Sequence, residues 1–209
     1  MSRVLPILFN AEMVRAILEG RKSCTRKIVK SQQLIGMLPD KCKNGAPEKF
    51  LKEKKLMFKP YCDMTDIELI NTAYKAPYQP GDILYVRETW KKAPNGYYYY
   101  EDWQRNDIAD VTKWKPSIRM PKEAARIWLK VTDVRVERLQ EISAESALAE
   151  GADKYIHTNG GLDENMTITS FIGIWNSTIK KSDIDRYGWD ANPYVWIIEF
   201  ERCEKPEGV

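Results

Sequence analysis

Ala125-Arg126-Ile127-Trp128-Leu129-Lys130-Val131-Thr132-Asp133-Val134-Arg135-Val136-Glu137-Arg138-Leu139 carries the longest period-two alternation in the chain. Successive side chains of a strand point to opposite faces, so the pattern predicts one long or bent core strand and a sheet-based domain. Downstream, Ser143 predicts the N-cap of a short helix with Ala147 and Leu148 inward, ending at Glu150-Gly151. A second helix is expected from about 169 to 179, with Phe171, Ile172 and Trp175 as its apolar stripe. Asn192-Pro193 then precedes a last strand, Tyr194 to Phe200, and the chain beyond 203 reads as a polar tail.

Upstream, the turn signal Tyr78-Gln79-Pro80-Gly81-Asp82 feeds a strand from Ile83 to Trp90. Its alternation places Glu88 on one face with Leu84, Val86 and Trp90. A carboxylate on an inward face must be paired, so Glu88 is either the structural partner of an Arg or Lys or a site residue. Pro94-Asn95-Gly96 turns into Tyr97 to Tyr100, the second strand of that hairpin. At the N-terminal end, Val4 to Phe9 reads as a buried strand. Asn10 then caps a helix carrying Met13, Val14, Ile17 and Leu18, which Gly20 stops. Arg26 to Lys30 alternates around Ile28-Val29 as another strand.

Residues 31–77 differ in texture, with seven lysines between Lys41 and Lys59 mixed with prolines and glycines. They read as an insertion with a short helix at 47–56 and a solvated lysine face. Several strands, few short helices and no regular βαβ alternation give an α+β class, a small β-barrel, and one domain over 1–203.

A length of 209 residues with 43% hydrophobic content suffices for one core, and a net charge of only +3 confines any nucleic-acid surface to a local patch. Cys24, Cys42, Cys62 and Cys203 form no CxxC pair and His157 is the single histidine, which leaves no zinc-site spacing and no expected metal. No cofactor is expected either, since the chain lacks P-loop and GxGxxG patterns. The opening run is too short for a secretory h-region and no segment reaches membrane-spanning length, so a cytoplasmic protein with reduced thiols is expected.

The chemistry-bearing cluster is Glu19-Gly20-Arg21-Lys22-Ser23-Cys24-Thr25-Arg26-Lys27. The C-terminal dipole of the preceding helix accounts for part of its positive charge, but not for the hydroxyls of Ser23 and Thr25. Neighbouring cations favour a lysine that acts as a base, with Thr25 as nucleophile. The residues alone favour the simpler reading, in which Lys22 and Arg26 contact phosphates.

Gly20-Arg21-Lys22-Ser23-Cys24-Thr25-Arg26, Pro80-Gly81-Asp82-Ile83-Leu84-Tyr85-Val86, the Leu139-Gln140-Glu141-Ile142 to Glu150-Gly151 segment and Trp196-Ile197-Ile198-Glu199-Phe200 resemble, in that order, the ASCH domain. Tyr85-Val86-Arg87-Glu88-Thr89-Trp90 adds a likeness to the longer, phage- or prophage-encoded members. The resemblance covers nearly everything except the lysine-rich insertion. It implies a PUA-like mixed β-barrel flanked by short helices, with RNA or a nucleoside bound in a cleft beside it. Some small bacterial members are amidohydrolases of N4-acetylcytidine; on their pattern Lys22 is the base, Thr25 the nucleophile and Glu150 the proton donor. Those enzymes are about half this length. Two other readings stand beside this one. A non-catalytic RNA module would use Arg21, Lys22, Arg26 and Arg119 on phosphates, with Trp90 or tyrosines stacking on a base and Glu88 nearby. A phage assembly protein would use the insertion as its contact surface.

Overall fold

The computed structural model describes residues 2–29, 67, 70, 74–104 and 113–208. Apart from 67, 70 and 74–77, the expected insertion and its helix at 47–56 lie outside those residues.

The alternating stretch forms strand β6 (Trp128–Arg138), with a register shift between Val131 and Asp133. Such a bulge bends a strand and increases its twist. The first residues of β6 pair antiparallel with β3 (Ile83–Arg87), and β7 (Tyr194–Cys203) runs antiparallel along its length. β1 (Val4–Leu8) adds parallel to β3 and β2 (Cys24–Ile28) antiparallel to β7, giving the order β1-β3-β6-β7-β2. β2 therefore starts two residues earlier than the alternation around Ile28-Val29 predicts. That places Cys24 and Thr25 inside a strand.

β7 is buried on both faces, which is why Val195 to Ile198 reads as a continuous apolar run. Trp196, Ile198 and Phe200 join Ile7, Phe9, Val14, Ile17, Leu84, Leu129 and Val131 in one core. Val195 and Ile197 join Phe171, Trp175, Leu139 and Ala147 in a second. Helix α1 (Ala11–Leu18) covers the first core, and its Asn10 side chain accepts from Met13 N as the cap predicts. Helices α3 (Ala144–Ala149) and α4 (Glu164–Thr178) cover the second. Helix α4 begins five residues before the expected start because Asp163 accepts from Met166 N and caps it there. α2 (Tyr100–Gln104) and α5 (Ile184–Tyr187) are short helices that the sequence reading lacks.

The strand expected from Ile83 to Trp90 breaks after Arg87. Trp90 opens a separate ribbon, β4 (Trp90–Ala93) against β5 (Gly96–Tyr99), over a third apolar cluster.

The architecture is mixed α+β. Among the described residues the strands do not close into a barrel; β1 and β2 are the two edges of an open sheet. The reason lies in the edges themselves. Phe9 N donates to Arg87 O and Arg3 O accepts from Ile83 N, so Val4, Pro6 and Leu8 turn their main-chain groups away from β3. Pro6 sits at the middle of that free edge and has no N–H to offer a ladder. A side-chain bridge spans the gap instead. Lys27 Nζ donates to Tyr78 Oη at 3.0 Å, and that hydroxyl donates to Pro6 O at 2.8 Å.

Gly151 fixes the end of α3 against α1. Its φ is +96°, and a Cβ there would stand 3.0 Å from Ala16 Cβ. Gly151→Ala combines a left-handed backbone with a clash, and is expected to lower stability by about 2–3 kcal/mol. Urea unfolding checks this through a lower midpoint at unchanged slope.

Candidate functional site: a groove at the open seam

Gly20, at φ +73°, ends α1 and turns the chain so that Arg21 N and Lys22 N both donate to Ala16 O. Ser23 N then donates to Ala149 O, bringing this segment against the C-terminal end of α3. The Lys22 side chain is wholly buried there. Its ammonium donates to Cys24 O at 2.8 Å, Glu150 O at 2.8 Å and Glu150 Oε2 at 2.6 Å. An ammonium has three N–H donors, so all of them are engaged. Lys22 thus neutralises the C-terminal end of α3, not of α1 as the sequence reading supposed.

Arg26 completes the cluster. Its side chain is 2% exposed, Nη1 donates to Glu150 Oε1 at 3.2 Å, and the guanidinium lies 5.6 Å from the Phe171 ring centroid. One carboxylate therefore serves two buried cations. The sequence reading treats Lys22 and Arg26 as cations open to phosphate; the structure corrects this, because both are buried and ion-paired.

Main-chain bonds fix how β2 presents its side chains. Phe200 N donates to Ser23 O and Val29 N to Tyr194 O, so Thr25 and Lys27 also face β7 with their peptide groups, while Cys24, Arg26 and Ile28 face the free edge. Thr25 and Lys27 share the opposite side-chain face from Cys24, Arg26 and Ile28. Between the edges lies a groove of about 370 Å³, walled by Phe9, Thr25, Arg26, Lys27, Phe171 and Trp175, with Glu150 among its lining. Past Glu150 a second hollow of about 480 Å³ continues it, sharing Asn10, Met13, Ile174 and Ser177. Among the described residues, the Thr25 hydroxyl makes no hydrogen bond.

The structure thus brings Lys22, Thr25, Arg26 and Glu150 together from positions more than 120 residues apart. The other expected site residues lie elsewhere. Arg21 is exposed, pairs with Glu19 at 2.7 Å and Gly151 O at 3.2 Å, and lines the second hollow. Glu88 is the structural partner that one of its two readings foresaw. Both its oxygens accept from Arg126 at 2.9 Å, and Arg126 also bonds Asp102 at 2.6 Å. Trp90 is 5% exposed inside the third cluster, with Tyr97 and Lys115 against its ring, so it presents no face for stacking. Arg119 is exposed on the single turn Ser117–Arg119, whose Ile118 carbonyl accepts from Arg87. None of Glu88, Trp90 and Arg119 lines the groove.

Phe171 and Trp175 form the core stripe that their spacing predicts, and they also line the groove. Their i, i+4 spacing was visible; the opening beside them depends on the free edge of β2. Burial, with Glu150 adding to it, pushes the Cys24 thiol up to about 12, which makes it a poor nucleophile. His157 is exposed and sits 3.5 Å from Asp163, away from the groove. Among the described residues no group of His, Cys, Asp and Glu is placed to hold a metal, and no helix is long and apolar enough to cross a membrane.

Compared with protein-family models, curated proteins and solved structures, the chain matches none.

Proposed function

We propose that this chain is an ASCH-type, PUA-like protein that binds RNA or a modified nucleoside in the seam groove and hydrolyses an amide such as that of N4-acetylcytidine. The observation that carries the reading is the convergence of Thr25 and Glu150 on one groove, with Lys22 bonded to Glu150 at 2.6 Å behind it. The apolar edges of Phe171 and Trp175 line the same groove and suit the plane of a base.

In this reading, moving one proton from Lys22 Nζ to Glu150 Oε2 yields a neutral amine and a carboxylic acid, the two forms the chemistry requires. The Thr25 hydroxyl attacks the acyl carbon while Lys22 takes its proton. The carbon–nitrogen bond then breaks as Glu150 protonates the departing amine. Water hydrolyses the acyl-threonine ester and returns the residues to their starting forms.

Acetate release from N4-acetylcytidine tests it. Thr25→Val is expected to lower kcat by roughly 100-fold or more while binding stays within about threefold. One observation favours the non-catalytic reading: all three Lys22 donors are already engaged. Binding of the nucleoside without acetate release from the wild type selects that reading, and absence of both overturns the proposal.

A further inference from the structure

Charge is unevenly matched along the seam. Lys22 and Arg26 share the single carboxylate of Glu150, and Lys27, which lines the same groove, has no carboxylate partner among the described residues. In the groove's own lining Arg26 and Lys27 stand against one carboxylate, which Lys22 also draws on from behind. Lys27 Nζ donates to Tyr78 Oη at 3.0 Å and lies 4.6 Å from the centroid of that ring. Burial pushes that phenol up to about 12, so at neutral pH it supplies an acceptor lone pair and no charge. The N-terminal end of α1, capped by Asn10, borders the groove as well and adds positive partial charge.

A half-buried ammonium with only a neutral phenol beside it is poorly solvated and poorly compensated. Burial accordingly loosens Lys27's hold on its proton. Lys22 cannot serve an incoming anion, because its donors are engaged and its side chain has no exposed surface. Arg26 is held by Glu150. Lys27 is the cation left to act.

We infer that the groove contains an anion subsite at Lys27 and that its ligand places a phosphate oxygen against Nζ. The choice of phosphate rests on the nucleoside reading above, since phosphate is the anionic group such a ligand carries. A mononucleotide and a phosphodiester strand both offer it. Lys27 thereby separates nucleotides from bare nucleosides, while the aromatic wall and Glu150 face the remainder of the ligand.

Calorimetric titration of the full chain with cytidine, cytidine 5′-monophosphate and a cytidine dinucleotide tests the subsite, together with inorganic phosphate followed by NMR of the lysine ammonium groups. At least one phosphorylated ligand is expected to bind about tenfold or more tightly than cytidine. Whether the monoester or the diester gains shows which source the subsite serves. Lys27→Met is expected to remove the preference and leave cytidine affinity within about twofold, and phosphate is expected to shift the wild-type Lys27 signal. Equal affinity for cytidine and both phosphorylated forms, with no phosphate response at Lys27, overturns the inference and leaves the nucleoside reading standing. A phosphate response at Lys27 without binding of any cytidine ligand does the reverse. The wild-type arms decide the matter even if Lys27→Met fails to fold.

Discussion

Glu150→Ala is expected to be among the most destabilising single substitutions in this chain, at about 3–5 kcal/mol, because it strands two buried cations at once. The carboxylate is the hub: Oε2 serves Lys22 at 2.6 Å and Oε1 serves Arg26 at 3.2 Å, in a cluster whose side chains are 0%, 2% and 6% exposed. Removing it leaves an ammonium and a guanidinium with no compensating charge, and the two main-chain carbonyls that Lys22 keeps do not neutralise it. Lys22→Met should cost less, since Glu150 keeps Arg26 and only one charge disappears. Thermal unfolding reads the order directly. For a domain of this size each kcal/mol moves Tm by roughly 2–4 °C, so Glu150→Ala should fall by about 6–20 °C and Lys22→Met by less. Equal losses for the two, or a loss below about 1 kcal/mol for Glu150→Ala, would show that the hub is not holding two charges.

That hub also measures what the sequence could reveal. Local signals carried the scaffold well: Asn10 and Ser143 cap the helices they were expected to cap, Gly20 and Gly151 follow helix ends with positive φ, and the alternation of 125–139 became the central strand. Each of those features depends on a few neighbouring residues. The burial of Lys22 and Arg26 does not. It depends on α3 arriving from 128 positions downstream, and a cationic run beside a helix end reads equally well as a solvated patch. Two frame errors follow from the same cause. Starting β2 at Arg26, two residues late, left Cys24 and Thr25 in a loop, and extending β3 through Trp90 hid the break after Arg87 that sends Trp90 into a separate ribbon. Pairing between distant strands settles such ends. The open seam was illegible for a further reason, since it arises from Pro6 at an outward edge position and a tyrosine bridge, neither of which announces itself in a hydrophobic pattern.

Glu88 shows the opposite case, in which alternation alone demanded a partner and the structure supplies Arg126. Arg126→Met is expected to cost about 3–5 kcal/mol at pH 7, because it strands a carboxylate that is 2% exposed. The penalty should shrink on acidification, and the sign follows from linkage. Burial raises Glu88 above its ordinary value of 4.5 even though Arg126 opposes the shift. A carboxyl whose folded value lies above its unfolded one stabilises most below about 4.5 and loses that contribution as pH rises through the folded value. Deleting Arg126 removes the opposing influence, widens the gap and steepens the loss. Asp82 behaves the other way. Burial pushes it up, but hydrogen bonds from Arg3 and Gln79 N outweigh that and hold it below 3.8, so its contribution survives down to that range. Comparing pH 7 with pH 4.5 therefore titrates the Glu88 site while leaving the Arg3–Asp82 pair ionised. Urea midpoints of wild type and Arg126→Met should differ by clearly less at pH 4.5 than at pH 7. An equal difference at both would mean that Glu88 is not the stranded charge, and that the substitution acts through the guanidinium's packing on Tyr99, 4.0 Å from its ring centroid.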